Sequence, residues 1–347
     1  CTTPTENVVQ MISLHSLIAN AAYHDLLQSL RDEAVSTLKG TPTREMRNGR
    51  AYWYDVHRVG TTVRKSYIGE DTPALAERLQ QHRDLAQERQ ARAAARTRLV
   101  RTLRAEGMLG TDAAVGSILQ TAERLGVFRL GGTLVGTQAF RQYEGELGIR
   151  ISGQQLAQTG DIDIAQFERL SFALEDKVES SLAESFHALD FAPIPSLNHR
   201  SVWRWRQTKS NTLVEFLTPS FRAEEDIRDL PALGVAAQSL HFLNYLIAEP
   251  IKAAALYRSG VLVQIPRPEA YAIHKLIVAD RRKGQDQLKS RKDRAQAALL
   301  IEALAEDRPD ELREAYDDAM ERGPQWRAHI EATLKRVPET AAKLAAL

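Results

Sequence analysis

The chain has 347 residues, with 46 Lys and Arg against 45 Asp and Glu, 43% apolar residues and 26% charged. That length suggests two or three domains, each able to bury a core, in the composition of an ordinary globular protein. No run of eighteen apolar residues exists, so no membrane span is expected. The start, Cys1-Thr2-Thr3-Pro4, lacks the basic stretch and apolar run of a secretory signal. Cys1 is the single cysteine, which rules out a disulfide framework or a cysteine zinc site and makes the cytoplasm the default compartment.

Residues 6–38 read as a helix. Val9, Ile12, Leu14, Leu17, Ile18 and Ala21 recur at helical spacing, and Leu26, Leu27 and Leu30 continue the stripe. Gly40 and Pro42 break it. Tyr52, Tyr54 and Val56 then alternate with Trp53 and Asp55, which is strand-like. Asn48-Gly49 is a hairpin signal, because both positions accept positive φ. With a second turn at Gly60-Thr61, the spacing predicts a three-stranded meander over 44–68. Its aromatics, Tyr52, Trp53, Tyr54 and Tyr67, lie among Arg44, Arg47, Arg50, His57, Arg58, Arg64 and Lys65. A nucleic-acid surface needs that mixture, charge for phosphates and flat faces for bases. A protein-interaction or dimerisation arm fits it equally, and packing and solubility alone also call for both residue types.

Thr72 as N-cap and Pro73 at the first helical position open a helix that runs to about Glu106. Its arginines, from Arg83 to Arg104, form a stripe suited to phosphates or simply a solvated face. At roughly 35 residues it is too long for a domain interior, so it is expected to pair with the first helix as a hairpin with the meander at its tip. Asp112 caps a helix over 113–125. Val127–Leu130 reads as a short strand, Gly131-Gly132-Thr133 as a turn, and Leu134 to about Leu147 as a helix. Gly160–Ala165 is a strand, about 175–187 a helix, and Trp203–Gln207 with Leu213–Leu217 a strand pair. Trp203 and Trp205 are either a stacking surface or packing residues. Beyond about 225 the pattern is mostly helical, apart from Gly260–Ile265. His187, His199, His241 and His274 share no metal-ligand spacing and read as structural.

Asp161 and Asp163 flank Ile162, so the two-residue period of a strand turns both carboxylates to one side. Carboxylates about 7 Å apart on a strand face suit one or two Mg²⁺ ions. Glu215 is a lone acid among apolar residues on a later strand and needs a partner, which a metal would supply. Glycines at 131 and 132 would let the backbone approach a phosphate at a helix start, with Thr133 beside them. Arg141 follows on the same helix and can reach a phosphate. Pro268 opens a helix carrying Lys275, followed by Arg281, Arg282 and Lys283, and then by Lys289, Arg291, Lys292 and Asp293. Lysine offers a point charge to phosphate oxygens; alternatively Lys289 and Asp293 form a surface i,i+4 pair.

Together, Leu130-Gly131-Gly132, Asp161-Ile162-Asp163 and Glu215 resemble the DNA polymerase beta-like nucleotidyltransferase superfamily. The closer resemblance is to a bacterial nucleotidyltransferase family related to toxin and phage-defence nucleotidyltransferases, carried by Phe128–Tyr143, Thr159–Phe167, Val214–Pro219 and Pro266–Leu300. The glycine-to-aspartate gap is longer than usual, which implies an insertion around 148–158, and the third acid is Glu where Asp is more familiar. The resemblance implies an α+β fold: a nucleotidyltransferase core with a short mixed sheet and flanking helices (111–225), a mainly helical C-terminal domain (226–347), and an N-terminal helical arm bearing the meander (1–110). It implies Asp161, Asp163 and Glu215 as catalytic metal ligands for two Mg²⁺ ions, Lys275 on the triphosphate, and Lys289 and Asp293 at the pocket wall. The expected reaction moves a nucleoside monophosphate from an NTP such as ATP to an acceptor hydroxyl on RNA (a transfer RNA end is one option), protein or a small molecule. The alternatives are a non-catalytic nucleotide or nucleic-acid binder and one half of a toxin–antitoxin pair; a dimer is plausible on either reading.

Overall fold

The computed structural model describes residues 13–36, 41–47, 49–59, 62–80, 89–151, 160–174, 176–178, 181–195, 202–209, 212–282 and 284–347. A two-residue strand, β1 (Ser13–Leu14), precedes helix α1 (Leu17–Ser36). The helix predicted from residue 6 thus starts later: Ser16 Oγ accepts the amide of Ala19 at 3.1 Å, a serine cap that fixes the first turn. Residues 6–12 of that expectation lie outside the described residues. The meander forms as β2 (Thr41–Arg47), β3 (Arg50–Val59) and β4 (Thr62–Glu70), antiparallel and in that order. Gly49 takes φ +80° in its first turn. Next come α2 (Pro73–Gln80) and α3 (Arg89–Ala105). Thr72 caps α2 as expected, its hydroxyl accepting the Leu75 amide at 3.2 Å. The continuity of the long helix between them, with Arg83, falls outside the described residues. Ala22, Leu26 and Leu30 of α1 share a buried cluster with Val100 and Leu103 of α3.

Helix α4 (Ala113–Arg124) follows Asp112, whose side chain makes no capping bond, and ends at Gly126, φ +86°. The strand expected at 127–130 does not form. Gly126 and Gly131 both hold positive φ, and they fold the intervening run into successive turns. The Leu130 amide bonds the Gly126 carbonyl and the Gly132 amide that of Val127. A strand comes after the glycines instead, as β5 (Thr133–Val135), and α5 (Gly136–Glu146) begins two residues later than predicted. Then come β6 (Ile149–Arg150), paired with β1, and β7 (Asp161–Ala165); most of the expected insertion, 152–158, lies outside the described residues.

The helix predicted over 175–187 is replaced by α6 (Glu168–Ala173) and α7 (Leu182–His187). Ser181 starts the second by accepting the Glu184 amide at 3.3 Å. Strands β8 (Phe191–Pro193), β9 (Arg204–Gln207) and β10 (Leu213–Pro219) follow, the last two pairing as predicted. Beyond 225 the expected helical region opens instead with β11 (Ile227–Leu230), β12 (Val235–Leu240), a short α8 (Leu243–Leu246) and the hairpin β13 (Ile251–Ala255) with β14 (Val261–Ile265). Pro231 and Gly234 (φ +65°) close the β11–β12 turn. The rest is helical: α9 (Pro268–Arg281), α10 (Gln287–Asp307), α11 (Pro309–Glu321), α12 (Pro324–Leu334) and α13 (Pro338–Ala345). All but α10 open on a proline, whose missing N–H costs nothing in a first turn. Among the described residues no helix is long and apolar enough to cross a membrane.

The main sheet runs β11-β12-β10-β7-β5, with β9 carrying β8 on β10. Strands β7, β10 and β12 are parallel to one another, while β5, β9 and β11 run against their neighbours. Ile162, Ile164, Val214 and Phe216 are fully buried on one face. There Phe216 meets Trp205 edge-on at 5.5 Å between ring centres, and Phe186 does the same. Burying such rings contributes about 1.5–3 kcal/mol each, and it holds the opposite face in place. The molecule is therefore mixed α/β, with several sheets and a helical C-terminal region.

Candidate active site

Register brings the acids together. Asp163 of β7 pairs with Glu215 of β10, and Asp161 with Leu213. Partners in register share a face, so Asp163 and Glu215 are side by side and Asp161 lies one pleat away. The same row continues to Arg204 on β9, opposite Glu215, and to Val135 on β5, opposite Asp163. Burial, then Glu215 and Asp161, raise the Asp163 carboxyl to about 7, against the pull of Lys275 and Arg282. Burial and Asp161 also raise Glu215, while Arg204 and Lys289 oppose the rise. Three like charges held this close invite a cation.

The residue that closes on this cluster is Gly136, which the sequence reading passed over. It starts α5 at φ +62°, and a Cβ there would lie 2.4 Å from Asp163 Oδ2. Only glycine fits both conditions. Its carbonyl accepts the Tyr271 hydroxyl at 2.9 Å, tying the start of α5 to α9. The glycines singled out from sequence have other tasks. A Cβ on Gly131 would come 2.6 Å from Leu170 Cδ2, and one on Gly132 2.7 Å from Val127 Cγ1. They let the chain pack on itself. Thr133 is buried and accepts Gln264 Nε2 at 3.1 Å. Arg141 donates to the Gly110 carbonyl at 2.5 Å. The signal for Gly136 was a glycine directly at a helix start behind the β-rich run Thr133-Leu134-Val135; moving the motif there shortens the gap to Asp161 by four residues.

Helices α9 and α10 supply the positive side. Lys275 is buried on α9, 2.5 Å from Asp293 Oδ1 and 5.2 Å above the Tyr271 ring. Arg282 Nε holds the other Asp293 oxygen at 2.5 Å. Burial pushes the Asp293 carboxyl up, but Lys275 and Arg282 outweigh it and hold the carboxyl below its ordinary range. The i,i+4 pair of Lys289 with Asp293 is not made. Lys289 is exposed and lies 3.9 Å from Asp286, because Asp293 is turned inward to α9. Lys292, not singled out from sequence, is lowered by burial and by Lys275, with Asp293 and Asp161 acting the other way.

All-oxygen carboxylate donors suit a hard divalent cation. Among the described residues no three His, Cys, Asp or Glu side chains are gathered into a ready-made metal cage. Mg²⁺ in general takes one or two carboxylates and completes its shell with water and substrate phosphates. His274 is buried, its pKa pushed down to about 3 by burial and then Lys275, and His241 pairs with Glu225; His199 lies outside the described residues. The aromatics of the meander divide between buried and half-buried positions. Tyr54 and Tyr67 are buried, and Trp53 donates to Asp71 at 2.7 Å. Trp205 is buried in the aromatic cluster, and Arg204 covers Trp203 at 4.8 Å.

Comparison with known proteins gives one match: residues 113–321 fit a family described as nucleotidyltransferase. No curated protein and no solved structure matches the chain.

Proposed function

The chain belongs to a nucleotidyltransferase family, and on that premise we propose that Asp161, Asp163 and Glu215 form the catalytic face for transfer of a nucleoside monophosphate from an NTP to an acceptor hydroxyl. The observation that carries this reading is the register of β7 and β10, which sets Asp163 beside Glu215 under the glycine start of α5. Asp161 and Asp163 would hold Mg²⁺, with Glu215 beside them. When bound, the metal supplies positive charge for the phosphate oxygens and for the developing charge on the leaving group.

The chain's own groups then have distinct tasks. Gly136 leaves room for a phosphate against the exposed amides of the first turn of α5. Lys275, Lys292 and Arg282 set positive charge on the side of the leaving pyrophosphate. Asp293 stores Lys275 in place until a triphosphate competes for it. Glu215, its pKa raised, orients the acceptor hydroxyl and takes its proton as the new bond to the α-phosphorus forms and the bond to the bridging oxygen breaks. Positioning and electrostatics supply the acceleration.

The acceptor is proposed as an RNA hydroxyl first, then a protein or small-molecule hydroxyl. Incubation with each α-labelled NTP, Mg²⁺ and either total RNA or lysate separates these by where the label appears. Absence of label from every fraction, with all four nucleotides, sinks the catalytic reading and leaves a binding protein.

A further inference from the structure

Helix α10 carries basic residues on two opposite flanks, and the catalytic reading uses one of them. At 3.6 residues per turn, Lys289 and Lys292 share the flank that acts on Glu215 and Asp161. Gln287, Ser290, Arg291 and Arg294 share the other. That second flank borders a cavity of about 440 Å³, closed by Asp280 and Arg282 at the end of α9, Gly284, and Arg336 in the α12–α13 turn. The volume is that of a small-molecule site.

The cavity has more positive than negative charge to offer. Arg336 is 3.4 Å from Asp280, which also holds His329 at 2.9 Å. Arg282 is held by Asp293. Arg294 donates to Ser290 Oγ at 2.9 Å, and Ser290 in turn donates to the Ala279 carbonyl at 2.6 Å. Neither Arg291 nor Arg294 forms a salt bridge with a carboxylate among the described residues. Two uncompensated guanidiniums on one rim match a doubly charged anion, and their planar forks suit phosphate oxygens in a way that lysine does not. The first turn of the 21-residue α10 lies at the same rim, and its dipole adds to the positive potential.

We propose that this cavity, on the flank of α10 opposite Lys289 and Lys292, binds a small anion of the diphosphate class, either free pyrophosphate or the phosphates of a nucleotide. Arg282 borders the cavity and also grips Asp293, the partner of Lys275, so two residues link an occupant to that lysine.

Calorimetric titration of the intact protein with sodium pyrophosphate, without divalent cation, tests this. Arg291→Gln with Arg294→Gln should weaken binding by at least about tenfold, while Lys275→Met should leave it within about threefold. Arg291 is exposed, so Arg291→Gln alone gives a folded variant in which the loss should still be seen. Titration with a nucleoside triphosphate resolves the source: a second equivalent in the wild type that the arginine variant lacks assigns the cavity to the nucleotide. Equal pyrophosphate affinity in wild type and double variant overturns the proposal, as does a single equivalent removed by Lys275→Met. Tighter binding of a 5′-phosphorylated oligonucleotide than of pyrophosphate would overturn the small-anion assignment. Pyrophosphate binding needs no turnover, so it stands or falls separately from the transfer reaction.

Discussion

In the meander, Arg44 lies 2.6 Å from Asp71, Lys65 pairs with Glu45, and Arg50 stands 3.6 Å from Glu70. In the main sheet, Asp163 lies beside Glu215 with Asp161 a pleat away, and burial together with the neighbouring acids raises the hold of Asp163 and Glu215 on their protons. Both sheets alternate apolar and charged residues. In the first, acids are set beside basic side chains; in the second, acids are set beside one another. Concentrated like charge lowers stability unless something outside the chain offsets it, so the sheet that tolerates it is where chemistry is expected.

The largest effect should come from neutralising the concentrated charge. Asp161→Asn with Asp163→Asn is expected to lower label transfer by roughly 10³-fold or more, while the melting temperature stays level or rises because repulsion is relieved. Retained transfer would break the contrast between the sheets. Behind the acids, Phe216→Ala removes a ring fully buried against Trp205 and Phe186. A loss of about 3–5 kcal/mol in denaturant unfolding is expected, far more than any change on the opposite face of the same strand.

His274 sharpens the contrast through pH. Its folded pKa, about 3, lies below the ordinary value, so it contributes stability above about pH 6.5. As pH falls from there toward 3, the unfolded chain takes up a proton that the folded chain refuses. Stability should drop by at most about 1.4 kcal/mol per pH unit from this group. Melting curves of His274→Gln across that window should be flatter than those of the wild type; parallel curves would refute the assignment.

Gly136→Ala puts a Cβ against Asp163 at a positive φ. It should cost about 1–2 kcal/mol of stability and reduce transfer more than Gly131→Ala does. The reverse order would return the cradle to the earlier glycines. Smallest of all, Arg50→Ala removes a pair in which both side chains are at least half exposed, and no change in melting temperature is expected, because solvent screens such pairs.

The alternation of Asp161-Ile162-Asp163, the β9–β10 pair, the three strands of the meander and the proline that opens α9 were legible in the sequence. Each rests on forces between near neighbours: side-chain period, turn geometry and capping. Tertiary structure alone decided the rest. Val127–Leu130 has the composition of a strand, but two flanking glycines coil it into turns. Residues 227–240 fall in a stretch that reads as helical and become strands as β12 pairs with β10 and β11 with β12. Gly136 is distinguished from Gly131 and Gly132 by what stands opposite it, Asp163, an aspartate 27 positions further along. Lys289 and Arg291 are two residues apart and serve opposite flanks of one helix, since the phase of α10 is set by its packing on α9.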